Sequence, residues 1–427
     1  MQHGSVSRRL SIAALCLTSG VLVTAFGQVP NEQSVYTLQR AIDESLVSNP
    51  GIRAAGYAVD IERARRELAA LPAQMSVETE VENFLGSGET GSFDSAETTL
   101  QLSRVLELGD KRGLREGLGS ARVGLAETSM TLARLDLSAE VARRFIHLIA
   151  LQEESLIAQE NIALAQSTLE IVRQRFDVGS TSEAELATAE IALAQVELEA
   201  GALVARLEAA GLSLGTLWGD EDSSNLAGRA NLFDLPSPAS LGFLKARVSG
   251  NADLLRSVDE RRVLEAERRL AEARQRADLG LSFGVRRLEA TNDSAFVVGA
   301  SLPLGRRVRS DAEVAASTSS LNRLSAETEQ RRLDVISVLA GLHAELKNAY
   351  DRFVSLRDSL LPRSEDAAAL YREGFEAGRF SLLEFNRSQQ DLLTLRLSAL
   401  AAAAHYHMTL VDIEQLLGGT YESGVIQ

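Results

Sequence analysis

The sequence predicts a mixed α and β fold: very long antiparallel helices in a coiled coil, four short strands, and an internal tandem repeat. Three observations predict it. Two pairs of alternating apolar and polar stretches flank polar turns. Helical tracts of extreme length follow each pair. Both features recur at a near-constant offset of about 200 residues.

The chain has 427 residues and begins with a segment that reads as removable. Arg8 and Arg9 precede an apolar run from Leu10 to about Phe26, and Ala25-Phe26-Gly27 sets small residues before Gln28. That is the basic, apolar and small-residue order of a secretory signal, so residues 1–27 are expected to be cleaved. An uncleaved anchor is the alternative, although the run is short for a membrane span. Cys16 is the sole cysteine and lies inside this segment, so disulfides, thiolate metal sites and a cysteine nucleophile are excluded from the mature chain. Lipidation of Cys16 is disfavoured by the bulk of Leu15 before it.

Net charge is −15, and losing the cations Arg8 and Arg9 takes it to −17. So acidic a chain is not built to neutralise a phosphate backbone, so no nucleic acid partner is expected. Aromatic residues make up 5% and prolines number 7, which favours long helices over compact sandwiches.

The repeat is read from two segments. Within 175–199 and 374–398, Phe176/Phe375, Gly179/Gly378, Ser182/Ser381, Glu185/Glu384, Leu193/Leu392 and Leu198/Leu397 coincide at an offset of 199. The same offset carries Leu217-Trp218-Gly219 onto Leu416-Leu417-Gly418. Upstream, Ile61, Ala64, Arg66 and Leu68 fall on Val263, Ala266, Arg268 and Leu270, and Leu108-Gly109 matches Leu304-Gly305. The expected halves are 28–230 and 231–427.

Each half opens on an amphipathic helix, near 38–70 and near 241–275. Strands are expected at about 75–85 and 96–106, then at about 278–288 and 295–304. In the first pair, Val77, Val81 and Leu85 share a face with Thr79 and Asn83, opposite Glu78, Glu80 and Glu82; Leu100, Leu102 and Leu106 stand opposite Glu97, Thr99, Gln101 and Ser103. In the second, Leu279, Leu281, Phe283 and Val285, with Phe296, Val298, Ala300 and Leu302, form the apolar face. Period-two alternation across polar turns reads as β-hairpins. Each hairpin taken alone suits the surface of a soluble core equally well. Two of them in repeated positions of an exported chain, at the 9–11 residues that an outer-membrane strand requires, point to lipid. Four strands cannot close a barrel and an open edge is not viable in a bilayer, so several copies must combine; three would give about twelve strands.

Helical tracts are expected over 112–177, 181–216, 308–376 and 380–417. A tract of ~65 residues spans roughly 100 Å, too long for one globular domain. Val141, Phe145, Leu148 and Leu151 have the spacing of a buried stripe. Pro362 predicts a kink or break near Leu361.

Across essentially the whole mature chain, this hairpin, long helix, glycine turn and helix unit, present twice, resembles the TolC-like outer-membrane efflux channels. Within them it is most similar to the cobalt–zinc–cadmium (CzcC-like) outer-membrane components, through NPGIRAA (49–55) and VETEVENFLGSGETGSFDSAETTLQLSRVLELGDKR (77–112). The resemblance implies a homotrimer with a twelve-stranded barrel in the outer membrane and a helical tunnel in the periplasm. It also implies docking, through a periplasmic adaptor (membrane fusion) protein, on an inner-membrane proton-driven pump.

Carried over residue by residue, the adaptor-docking turns are Val178-Gly179-Ser180 and Ala377-Gly378-Arg379. Ser180 and Arg379 stand where the family often has an apolar residue. Glu384 matches a position at which some members place an acid ring at the periplasmic constriction, and Arg387 stands where a second acid would fall. Glu185 is read as a pairing residue between helices. With the apolar strand faces toward lipid, Glu78, Glu80, Glu82 and Glu97 would line the pore, offset by Arg286, and favour cations.

His405 and His407 lie two apart on a helix and diverge, so no metal site is expected; His147 and His343 fare no better. No cofactor is implied, no catalytic motif emerges, and GDKRG (109–113) reads as a strand-to-helix turn rather than a phosphate loop. The expected function is passive conduction in a tripartite efflux system, with heavy-metal cations as the cargo. Multidrug efflux or type I secretion is an alternative cargo class, and a periplasmic coiled-coil adaptor or scaffold is the alternative from another class.

Overall fold

Capping residues start most of the helices. Thr37 opens α1 (Leu38–Ser48), and Asn49 ends it and at once caps α2 (Pro50–Ala69) through its side-chain oxygen. The single helix expected over 38–70 is therefore two, because Pro50 donates no amide and is favoured only in a first turn. Likewise 241–275 divides into α5 (Leu241–Ala246) and α6 (Ala252–Ala273), the latter capped by Asn251. The computed structural model describes residues 35–419, so the leader expected at 1–27 lies outside the described residues.

Strand β1 (Val35–Tyr36) pairs in parallel with β4 (Ala227–Gly228), a small sheet apart from the principal one. The principal sheet is antiparallel in the order β2 (Met75–Glu82), β3 (Glu97–Leu106), β5 (Leu279–Leu288) and β6 (Asp293–Ser301). Two of the expected strands end early. The first stops at Glu82 because Asn83 and Leu85 adopt positive φ, 58° and 55°, and leave the ladder. The fourth stops at Ser301, and Leu302-Pro303 turns away.

The long helices are α3 (Lys111–Asp177), α4 (Glu183–Gly215), α7 (Arg306–Ser355), α8 (Leu361–Glu376) and α9 (Leu382–Leu416). α3 has 67 residues, about 100 Å at the usual rise. The break expected at Pro362 takes a gentler form: residues Leu356–Leu360 widen into a π turn, and Pro362 occupies the first turn of α8. A π turn and a proline are both places where a helix bends without ending.

Val141, Phe145, Leu148 and Leu151 are all buried, as their spacing predicts. They belong to a core that α1, α3, α4 and α9 build midway along the bundle, with Trp218 stacked on Tyr36 at 5.2 Å. A second cluster joins α7 to α9 through Leu339, Leu346, Tyr406 and Ile413. Two asparagines tie corresponding places. Asn49 Nδ2 donates to the Leu217 carbonyl at 2.8 Å, and Asn251 Nδ2 to the Leu416 carbonyl at 2.7 Å. The same elements thus recur in the same order along the chain. Among the described residues, no helix is long and apolar enough to cross a membrane.

Candidate functional site

The four-stranded sheet has two chemically different faces, and register assigns every side chain to one of them, since successive residues alternate. On one face the cross-strand rows are Val77, Leu102, Phe283 and Val298, then Thr79, Leu100, Val285 and Phe296. The seven apolar members of these rows are all exposed. Each is worth about 1.5–3 kcal/mol when removed from water. Together they exceed ~10 kcal/mol, the order of a whole domain's stability. A face of this kind is built to be covered.

The opposite face carries Glu78, Glu80, Glu82 and Glu97 together, as their alternation predicts. Arg286 reaches them from β5 and lies 2.8 Å from Glu97, 3.3 Å from Glu82 and 2.9 Å from Thr99 Oγ1. Its charge is therefore spent at one end of the face. Glu78 accepts only from Gln101 Nε2, at 3.2 Å, and Glu80 pairs with no cation among the described residues. Uncompensated negative charge concentrates at positions 78 and 80.

At the far end of the bundle, both turns between long helices have the same backbone. Gly179 and Gly378 take φ of +73° and +71°, a region open to glycine at little cost. The amides of Gly179 and Ser180 donate to the carbonyls of Phe176 and Arg175 at 2.8 Å each; those of Gly378 and Arg379 donate to Phe375 and Gly374 at 2.9 and 2.7 Å. Ser182 and Ser381 then cap the returning helices.

Side chains separate the two turns. Phe375 is 2% exposed and stacks on Phe385 at 5.0 Å, within a cluster that includes Val172, Ala189 and Leu382. Phe380 lies against Gly374 so closely that a Cβ there would fall 2.1 Å from its ring. In the first turn, Phe176 is 38% exposed and Val178 79%. Arg175 joins the two turns: its guanidinium stacks 4.6 Å over the Phe375 ring and donates to the carbonyls of Phe375 and, at 3.1 Å, Glu376. Ala377 ends α8 beside this contact, and Arg379 pairs with Glu373 at 3.0 Å in the open.

Glu384 completes a capping box, accepting from the Ser381 amide at 2.9 Å and the Ser381 hydroxyl at 2.8 Å. These two hydrogen bonds hold its carboxyl below the usual carboxylate range. Arg387, one turn on, is exposed and makes no ion pair among the described residues. Glu185, expected to pair with another helix, is instead bonded to Thr181 in its own turn, because its place three residues after the cap aims it back along the chain.

His407 is fully buried, with Nε2 3.0 Å from the Leu232 carbonyl, and burial lowers its pKa. His405 is exposed, so the two histidines diverge as their spacing predicts. Among the described residues, no group of three or more acids, histidines or cysteines could hold a metal ion. The asparagine ties and the Arg175 bridge were not anticipated. Asn49 next to Pro50 was the available signal for the first, but a bridge between residues 200 apart leaves no local trace.

The profile of the outer membrane efflux protein family matches residues 41–220 and 246–419. The cobalt-zinc-cadmium resistance protein CzcC of Cupriavidus metallidurans is 25% identical over 385 residues, 90% of each chain. The nickel-cobalt-cadmium resistance protein NccC of Alcaligenes xylosoxydans is 27% identical over 350 residues, 77% of this chain and 76% of that protein. Among solved structures, the outer-membrane channel OprN superposes with a TM-score of 0.73 at 20% identity over 90% of both chains. The transmembrane channel protein CusC gives 0.72 at 18%, over 90% of this chain and 92% of that one.

Proposed function

Because the chain belongs to the outer membrane efflux protein family, we propose that three copies close their four-stranded sheets into one twelve-stranded barrel that conducts heavy-metal cations outward. The observation that carries this reading is the division of the sheet into an exposed apolar face and an acidic one. Lipid covers the first face and water fills the space behind the second. The free edges of β2 and β6 demand partners, since an unpaired edge is not viable in a bilayer. The long helices continue the passage through the periplasm. The two matched segments support a tandem duplication with halves of 28–230 and 231–427.

The chain acts as a conduit, not an enzyme. An inner-membrane proton-driven pump loads the cargo, and a periplasmic adaptor joins that pump to the turns at 178–180 and 377–379. Exposed Val178 gives the adaptor an apolar contact. Glu384 stays ionised because its own turn stabilises the carboxylate. In a trimer it contributes a permanent negative ring at the constriction, tempered by Arg387. Glu78 and Glu80 form a second attractive zone in the barrel, and such rings pass cations in preference to anions. Metal cargo is supported by CzcC and NccC, both metal resistance proteins by name.

Planar-bilayer recording of the purified protein tests the conduit: under a potassium chloride gradient the reversal potential takes the sign of a cation-selective pore, and E78Q/E80Q moves it toward zero. Anion selectivity in the parent would refute it. Cargo is tested by deleting the coding region and measuring tolerance to zinc, cobalt, cadmium and copper; unchanged tolerance to all four would refute metal export.

A further inference from the structure

The two ends of the principal sheet carry opposite charge. At the loop end, residues 82–97 and 286–293 hold six acids (Glu82, Glu89, Asp94, Glu97, Glu289, Asp293) against Arg286 and Arg287. At the helix end, residues 104–115, 274–278 and 302–309 hold nine cations against three acids, Glu107, Asp110 and Asp278.

Several of those cations are already engaged. Lys111 is buried against Asp278 at 2.5 Å, Arg306 lies 3.3 Å from the same carboxylate, and Arg115 pairs with Glu107. Arg112 donates to the Ala70 carbonyl, and Arg274 lies 3.2 Å from Glu313. Arg104, Arg276, Arg307 and Arg309 remain: all are exposed, and none makes an ion pair among the described residues. Arg104 sits on the apolar face of the sheet, in the row of Met75, Leu281 and Ala300, two residues from the end of β3. An arginine on a lipid-facing strand is costly at mid-bilayer and tolerated near the interface. Its place therefore marks headgroup level. Leu304, 87% exposed, and Val308, 80% exposed, stand among the free arginines of the same level, the mixture of apolar stems and cationic heads that an interface selects. Beside them a cleft of about 560 Å³ is lined by Arg309, Pro303 and Leu304, and its three carboxylates, Glu107, Asp278 and Glu313, are each paired to a cation of the same cleft, Arg115, Lys111 and Arg274.

We propose that this strand–helix junction is a binding belt for phospholipids with net negative headgroups, with Arg104, Arg276 and Arg309 as its cations. The inference rests on the reading of the sheet as membrane-spanning and adds to it a lipid class and a leaflet, the one on the helical side. Charge complementarity and continuity with the apolar face select the occupant: the phosphate meets arginine while acyl chains continue along Leu281, Phe283 and Val298. The acidic loop end would repel the same headgroups. The belt thus sets both the depth of the barrel and its direction in the bilayer.

The test is native mass spectrometry of the full protein purified in detergent and offered equal amounts of phosphatidylglycerol and phosphatidylethanolamine. Phosphatidylglycerol is expected to be retained preferentially. R104Q, R276Q and R309Q should each lower that preference by up to about fivefold, the corresponding lysine variants should restore it, and R323Q/R332Q, farther along α7, should leave it unchanged. Inorganic phosphate should not displace the lipid. Equal retention of both lipids by a protein that still conducts in bilayers would overturn the belt alone. A protein that enters no vesicle, with or without phosphatidylglycerol, would overturn the membrane-spanning reading and the belt with it. Glutamine variants that retain lipid like the parent, or that lose it only because the oligomer dissociates on a gel, would overturn the belt in favour of a contact between copies.

Discussion

The two turns at the end of the helical bundle share a backbone and differ in almost everything else. Each uses a glycine at positive φ, the same pair of amide-to-carbonyl hydrogen bonds and a serine cap. The second turn is anchored by Phe375 and Phe385 stacked inward, with a partly exposed Phe380 closing over Gly374, whereas the first exposes Phe176 and Val178 and borrows its neighbour's rigidity through Arg175. Turn conformation is thus set locally by glycine and cap, while the division of labour is set by packing. The anchored turn holds Glu384 in place; the exposed one presents an apolar surface.

The largest effect expected to separate the turns comes from equivalent aromatic truncations. F375A should lower the local opening free energy of the second turn by about 3–5 kcal/mol, and F176A should change the first by no more than ~0.5 kcal/mol. Hydrogen exchange of the Arg379 and Ser180 amides reads both; equal losses would erase the distinction. The glycines should behave alike, G179A and G378A each costing about 1–2 kcal/mol because both place a Cβ in the left-handed region. A large difference between them would show that the shared backbone has unequal origins.

Away from the turns, Glu414 on α9 is half-buried, with one carboxylate oxygen unpartnered. Burial, opposed by Arg247, pushes its carboxyl up to about 7 from 4.5. A folded-state pKa above the unfolded value contributes stability that is complete below about pH 4.5 and lost as pH rises through 7. Solvent screening reduces the effect to the order of 1–2 kcal/mol. Thermal melts should fall in midpoint between pH 5 and 8, and E414Q should flatten that trend. Opening of the two turns should not follow it, since Glu384 remains ionised across that range. The smallest contrast lies in the caps: S182A and S381A should each cost about 1 kcal/mol, with S381A the larger because its box is reciprocal. Exchange at the Glu185 and Glu384 amides measures both.

Much of this architecture is legible in the sequence because its determinants are local and periodic. Alternation put Val77 and Leu102 on apolar faces and the four acids together, and glycine spacing located both turns. The ends of elements were less legible. Asn83 leaves the strand through a positive φ that asparagine tolerates, and the helix near 38–70 breaks where Asn49 can serve as both end and cap. Contacts between residues far apart in the chain were not legible at all. Arg286 neutralising Glu97, and Arg175 capping the Phe375 carbonyl, join residues about 190 and 200 apart. The first has a specific consequence: Arg286 offsets half the charge of Glu82 and Glu97 and leaves that of Glu78 and Glu80 whole.

Everything proposed for conduction depends on β2 of one copy meeting β6 of the next. The mass of the detergent-solubilised particle, measured by native mass spectrometry, tests this directly. The account predicts three copies of the chain in a single closed particle, and a particle containing one copy would contradict it.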